Sequence, residues 1–169
     1  MKQVAQLPEV NSSEGYVLTV TPDQVLIRAT SGAGLFYGVQ TMLQMADEKE
    51  LPVGVITDEP RFAYRGFMMD VSRHFFNKEF IKKQMDALAY YKLNRLHLHL
   101  TDAAGWRIEI KKYPRLTEFA AWREFPTWKE WWNNGRRYEE EGSKDAHGGY
   151  YSQDDIRELV AYAQERFIT

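Results

Sequence analysis

Between Leu93 and Arg107 the chain reads LNRLHLHLTDAAGWR. Leu96, Leu98 and Leu100 alternate with His97, His99 and Thr101, which is the period of a strand rather than a helix. Thr101-Asp102 close that strand and Ala103-Ala104-Gly105 suit a turn, so an acid stands at a strand end with two imidazoles below it. Upstream, Ile81, Met85 and Leu88 recur at helical spacing behind Asn77, an N-cap candidate. The pattern predicts a helix of about four turns beginning near Lys78. Before it, Tyr64 to Val71 is apolar in the middle and charged at its ends, as in a strand covered on both faces; Ser72-Arg73-His74 end it. Strand, helix, strand is a βαβ unit, whose crossover is expected to be right-handed.

The front of the chain has a different texture. YVLTV (16–20) and VLIRA (25–29) are β-rich runs separated by Thr21-Pro22-Asp23-Gln24, which predicts a hairpin. Ser31-Gly32-Ala33-Gly34 breaks the pattern. Leu35, Val39, Met42, Leu43 and Ala46 then follow at helical spacing, about three turns of amphipathic helix. Leu51 to Ile56 reads as another short strand. This α+β part has too few predicted strands for a sheet stable by itself. Pro60 biases Glu59 away from helix, and a boundary there divides the chain into 1–59 and 60–169.

After Arg107, residues 108–149 show little periodicity but carry Trp122, Trp128, Trp131 and Trp132. So long an irregular segment is usually functional or disordered, and its aromatic load predicts an ordered one. Flat rings with a polar edge suit sugar faces; the plainer expectation for each ring is that it packs the segment in place. Ser152 to Asp155 has the form of a capping box, and Ile156, Leu159, Val160, Ala163 and Phe167 form the stripe of a last helix. Phe167-Ile168-Thr169 reads as the start of a further strand.

Composition narrows the chemistry. The 169 residues are 44% hydrophobic and 14% aromatic, enough for a real core. A formal charge of -2 gives no electrostatic case for nucleic acid. No cysteine is present, which excludes a disulfide framework, a thiolate metal site and a cysteine nucleophile. No window reaches the roughly 18 apolar residues of a membrane span, and MKQVAQLPEV lacks the apolar core of a signal peptide. If the parent protein is exported, its signal lies outside this chain.

Three segments make the residues specific: Arg65-Gly66 with Asp70-Val71-Ser72-Arg73-His74-Phe75-Phe76; His97-Leu98-His99-Leu100-Thr101-Asp102 with Gly105-Trp106-Arg107-Ile108-Glu109-Ile110; and Tyr150-Tyr151-Ser152-Gln153-Asp154-Asp155-Ile156. In this order and spacing the chain resembles β-N-acetylhexosaminidases of glycoside hydrolase family 20, and the resemblance covers nearly all of it. The fold so implied is α/β: the first two strand-helix units of a (β/α)8 TIM barrel, preceded by part of a small α+β domain. The activity implied is removal of terminal β-linked N-acetylglucosamine or N-acetylgalactosamine from glycans, without metal or cofactor. In such enzymes the substrate's acetamido oxygen attacks the anomeric carbon, an Asp orients it, and the adjacent Glu protonates the leaving oxygen.

That Asp-Glu pair belongs to a later strand, so this chain alone is expected to be inactive. A truncated barrel also leaves an open sheet edge, which predicts aggregation or poor folding unless more chain is present. Asp154-Asp155 and Glu139-Glu140-Glu141 do not match the pair. By resemblance, Arg65 is the arginine that hydrogen-bonds the terminal sugar's hydroxyls, Asp102 a supporting acid, and His99 a further residue of the same pocket. Where the family often has a second acid, this chain has Ala103. Asp70, Arg73 and His74 are expected to pair locally, in structural roles. Two rival readings stay open: a sugar-binding module using Arg65 and the Trp-rich segment, and a metal-dependent barrel hydrolase using His97, His99 and Asp102.

Overall fold

A computed structural model describes residues 1–46 and 50–169. By contacts the chain forms two compact units. The first comprises residues 1–66, 85–95 and 165–169; the second comprises residues 67–84 and 96–164.

The first unit is built on a four-stranded sheet ordered β1 (Lys2–Gln3), β3 (Val25–Ala29), β2 (Tyr16–Val20), β4 (Gly54–Asp58). The hairpin forms as its turn residues predict: Val20 faces Val25, and Thr21 N–H donates to Gln24 O at 2.9 Å. The sheet is larger than the β-rich runs foretell, because β1 is a two-residue strand pairing in parallel with β3. Helix α1 (Gly32–Met45) begins three residues earlier than its apolar stripe. Ser31, expected to break the pattern, is its N-cap, with Oγ accepting from Gly34 N–H at 3.1 Å. Gly34 and Gly38 let α1 lie close to the sheet: a Cβ at Gly34 would stand 2.5 Å from Gly15 O, and one at Gly38 2.5 Å from Ile27 Cγ2. Tyr16, Leu18, Val20, Ile27, Ala29 and Tyr37 form the buried core between helix and sheet.

Strand β5 (Gly66–Asp70), helix α2 (Lys78–Tyr90) and strand β6 (Arg95–His99) realise the strand-helix-strand order, and β5 and β6 are hydrogen-bonded neighbours. Asn77 Oδ1 caps α2 by accepting from Phe80 N–H at 2.9 Å. Ile81, Met85 and Leu88 are all buried. The helix ends in a left-handed turn at Lys92 (φ 56), with Leu93 N–H returning to Leu88 O at 2.8 Å. A non-glycine there costs about 1 kcal/mol. Lys92 Nζ offsets this by binding Asp58 Oδ2 and the Tyr16 hydroxyl, both at 2.8 Å. Burial alone would raise the Asp58 carboxyl, but Lys92 and Tyr16 hold it below the usual carboxylate range.

One expectation for β5 is corrected. Phe67 and Met68 are 43% and 53% exposed, and only Met69 of the strand's apolar residues is buried. Among the described residues β5 belongs to a sheet of two strands, and no closed barrel surrounds it. The chain's last residues form no strand; Thr169 N–H donates to Asn94 O at 3.1 Å.

The second unit continues from β6 into a tight hairpin, β7 (Thr101–Asp102) and β8 (Gly105–Trp106). Residues 108–149 are threaded with short elements: α3 (Arg115–Glu118), β9 (Trp122–Arg123), α4 (Trp128–Asn133) and β10 (His147–Gly148). A parallel bridge between Ile108 and Tyr151 closes the segment. Helix α5 (Gln153–Gln164) then starts with a reciprocal capping box: Asp155 N–H donates to Ser152 Oγ and Ser152 N–H to Asp155 Oδ2, both at 3.0 Å.

Candidate functional site

The last residues of β5 and β6 meet in one polar cluster. Asp70 ends β5 in an Asx turn, its Oδ1 accepting from Ser72 N–H at 3.0 Å and Arg73 N–H at 3.1 Å. Its Oδ2 holds Arg73 Nη1 at 2.8 Å. The other arm of the guanidinium, Nη2, lies 2.8 Å from Asp102 Oδ2. Arg73 thus spans the acids that follow from two different strands. Its remaining donors, Nε–H among them, have no hydrogen-bond partner among the described residues, and 40% of the side chain faces solvent.

His99 completes the cluster. Its Nε2 stands 3.2 Å from both Asp102 Oδ2 and Thr101 O, two acceptors, so this nitrogen carries the proton. Arg73 Nη1 lies over the same ring, 3.4 Å from Nδ1 and 3.5 Å from Nε2. The Ala103 N–H that donates to Asp102 Oδ1 at 2.6 Å, with the Arg73 guanidinium and the His99 imidazole beside it, holds the Asp102 carboxyl below its ordinary range. Asp102 is therefore a fixed anion at neutral pH, suited to orienting a cation or an imidazole rather than to giving up a proton.

Arg65 is placed elsewhere. It precedes β5, at the other end of that strand from Asp70, and belongs to the first unit. Its Nη2 pairs with Glu14 Oε2 at 2.7 Å, Nε donates to Lys92 O at 2.7 Å, and Nη1 donates to Phe62 O at 2.8 Å. The guanidinium also lies over the Tyr37 ring, 5.5 Å from its centroid. Two hydrogen bonds and one buried ion pair thus commit the guanidinium to the first unit's own packing. His97 is exposed and makes no polar contact with this cluster. Among the described residues no three His, Asp or Glu side chains converge as metal ligands would.

Two residues that the strand pattern passed over turn out to be central. Arg107 is 1% exposed, and its Nε donates to Val71 O at 3.0 Å and its Nη2 to Ser72 O at 2.7 Å. Nη1 reaches Gly149 O at 3.0 Å and also Ala121 O. Arg123, equally buried, donates to Arg73 O at 2.8 Å, Phe125 O at 2.9 Å and Pro126 O at 2.8 Å. Burial and the nearby Arg123 charge lower the Arg107 guanidinium to about 10. The sequence signal is Gly105 two residues before Arg107, where a missing side chain makes room for a large one. Both arginines line a cavity of about 320 Å³ together with His74, Phe75, Trp122 and His147.

The Trp-rich segment divides by role. Trp131 is buried and its Nε1 donates to Arg137 O at 2.8 Å; the Trp122 and Trp106 indoles likewise bind Thr117 O and Ile108 O. These three pack the segment in place. Trp128 and Trp132 stack on each other with centroids 5.1 Å apart, and Arg136 covers the Trp132 ring at 3.5 Å. The acidic runs are structural too: Glu140 pairs with Arg115 at 2.7 Å and Asp155 with Lys78 at 2.8 Å. The adjacent acids Asp58 and Glu59 are engaged within the first unit, Glu59 by the backbone of Asn11 and Ser12.

With this geometry in view, comparison defines the class. Residues 62–169 match the glycosyl hydrolase family 20 catalytic domain, and residues 2–59 match domain 2 of the same family. The chain belongs to glycosyl hydrolase family 20. It is 44% identical over 167 residues to a beta-hexosaminidase of Porphyromonas gingivalis, a match covering 92% of this chain and 19% of that protein. Among solved structures it resembles a beta-N-acetylhexosaminidase with a TM-score of 0.80 at 38% identity, over 98% of this chain and 33% of that one. It also resembles the exo beta-N-acetylglucosaminidase of Vibrio harveyi solved with N-acetylglucosamine, with a TM-score of 0.79 at 38% identity, over 96% of this chain and 25% of that one. The chain therefore spans about a fifth to a third of the length of these relatives.

Proposed function

We propose that this chain supplies the sugar-holding edge of an exo-acting β-N-acetylhexosaminidase that removes terminal β-linked N-acetylglucosamine or N-acetylgalactosamine from glycans. On this reading β5, α2 and β6 begin a (β/α)8 barrel, and the cluster at the strand ends lies on the face where such barrels carry their active sites. The observation that supports it most directly is Arg73. A rigid fork is held by two carboxylates at fixed distances while donors remain open to solvent, which fits two adjacent sugar hydroxyls. Asp102 and Asp70 aim the fork, and His99 borders it. The hydroxyl contact expected of Arg65 is reassigned to Arg73, because Arg65 is committed to Glu14. The substrate's acetamide would supply the nucleophile, as the family resemblance implies.

The test compares two variants of the whole protein on an aryl β-N-acetylglucosaminide. R73A should raise KM by about 10-fold or more, the loss of one or two charge-assisted hydrogen bonds to substrate. R65A should lower the melting temperature and leave KM near wild type. An unchanged KM in R73A, or a raised KM in R65A, would return the sugar contact to Arg65. A whole protein with no turnover of the glycoside would overturn the activity itself.

A further inference from the structure

We infer that Arg123 and Arg107 are positioning residues for Arg73, acting through the backbone rather than on the substrate. The inference rests on the reading that Arg73 holds the sugar.

The backbone after β5 has left the sheet. Where strand pairing stops at Asp70, the next three carbonyls need other donors. Each receives one from a buried guanidinium: Val71 O and Ser72 O from Arg107, Arg73 O from Arg123. Ser72 Oγ adds a bond to Gly105 O at 2.7 Å, tying the same stretch to the hairpin that carries Asp102. Arg73 is therefore held from three sides, its backbone by Arg123 and its two guanidinium arms by Asp70 and Asp102.

The choice of residue is informative. Among the described residues neither Arg107 nor Arg123 has a carboxylate partner, and both are almost wholly buried. Two unpaired buried cations are an expensive way to fill space. Their use makes sense where several carbonyls from distant segments must be fixed at once, since a planar fork reaches them in set directions and an ammonium or an amide does not. Arg123 joins Arg73 to Phe125 and Pro126, so the segment before α4 is anchored to the residue that presents the fork. A long arginine side chain has many rotamers, and a shift of about 1 Å in a substrate-holding group can reduce turnover about 100-fold.

The experiment uses the whole protein and the same aryl β-N-acetylglucosaminide, and reads KM, which does not depend on how much of a preparation is folded. R123M removes the three donors at similar length and should raise KM about 10-fold. R123K keeps the charge and one donor direction and should raise it less. The decisive arm is the double variant. If Arg123 acts through Arg73, R123M added to R73A changes KM no further. A merely structural arginine would lower yield and melting temperature and leave KM alone. A wild-type KM in folded R123M overturns the inference, as does an R123K effect as large as that of R123M or an R123M effect of undiminished size on the R73A background. If R73A itself leaves KM unchanged while the wild type is active, it is the reading of Arg73 that fails, and the inference with it.

Discussion

Gly105 is the smallest residue with the largest expected consequence. It lies in β8 opposite Asp102, and its backbone is not in the left-handed region, so space rather than conformation demands a glycine. A Cβ there would stand 2.2 Å from Arg107 Cζ and 2.3 Å from Nη2. In G105A the guanidinium must retreat by about 1.3 Å to reach ordinary contact distance. That carries its bonds to Ser72 O (2.7 Å) and Gly149 O (3.0 Å) beyond useful length. Two hydrogen bonds from a charged donor correspond to about 3–6 kcal/mol. Replacing glycine in a strand returns about 0.5–1 kcal/mol of backbone entropy. The net destabilisation is then about 2–5 kcal/mol, a large part of a domain's usual 5–15 kcal/mol. Urea unfolding followed by tryptophan fluorescence measures it, with G54A as the control, because a Cβ at Gly54 meets nothing within 4 Å. If G105A unfolds within about 1 kcal/mol of wild type, Arg107 is not clamped as described.

Two further outcomes follow from the caps. Lys78 and Ser152 depress the Asp155 carboxyl to about 2, below its unfolded value near 4, so the unfolded chain binds more protons and the contribution is full above about pH 4 and lost as pH falls through about 2. The stability gap between wild type and D155N should therefore close between pH 5 and pH 2 in urea titrations, and a gap constant with pH would refute this linkage. S31A removes the cap of α1 and should destabilise the first unit by about 1 kcal/mol in thermal unfolding, whereas an unchanged midpoint would mean that the Gly34 N–H finds another acceptor.

Much was legible in the residues because it is local. The hairpin at 16–29 follows from β-rich runs around Thr21-Pro22-Asp23-Gln24, α2 from Asn77 and its Ile81-Met85-Leu88 stripe, and α5 from its capping box. Each depends on neighbours within a few positions, where spacing and side-chain chemistry act directly. The family was legible for a related reason, since its motifs lie at the strand ends and turns that a sequence displays in order.

Tertiary structure decided what depends on distant partners. Arg65 and Arg73 flank the same strand, and residue type does not say which one meets the acid after β6. The turn at Asp70 and the hairpin at Asp102 bring Arg73 there, while Glu14 takes Arg65. Buried arginines defy the usual pattern of charge outside. Arg107 is satisfied only because carbonyls from residues 71, 72, 121 and 149 converge on it. The apolar run of β5 has the pattern of a strand covered on both faces, yet coverage belongs to neighbouring strands rather than to the strand itself. Periodicity determines which element forms, and the partners drawn in from far along the chain determine what each polar group can do.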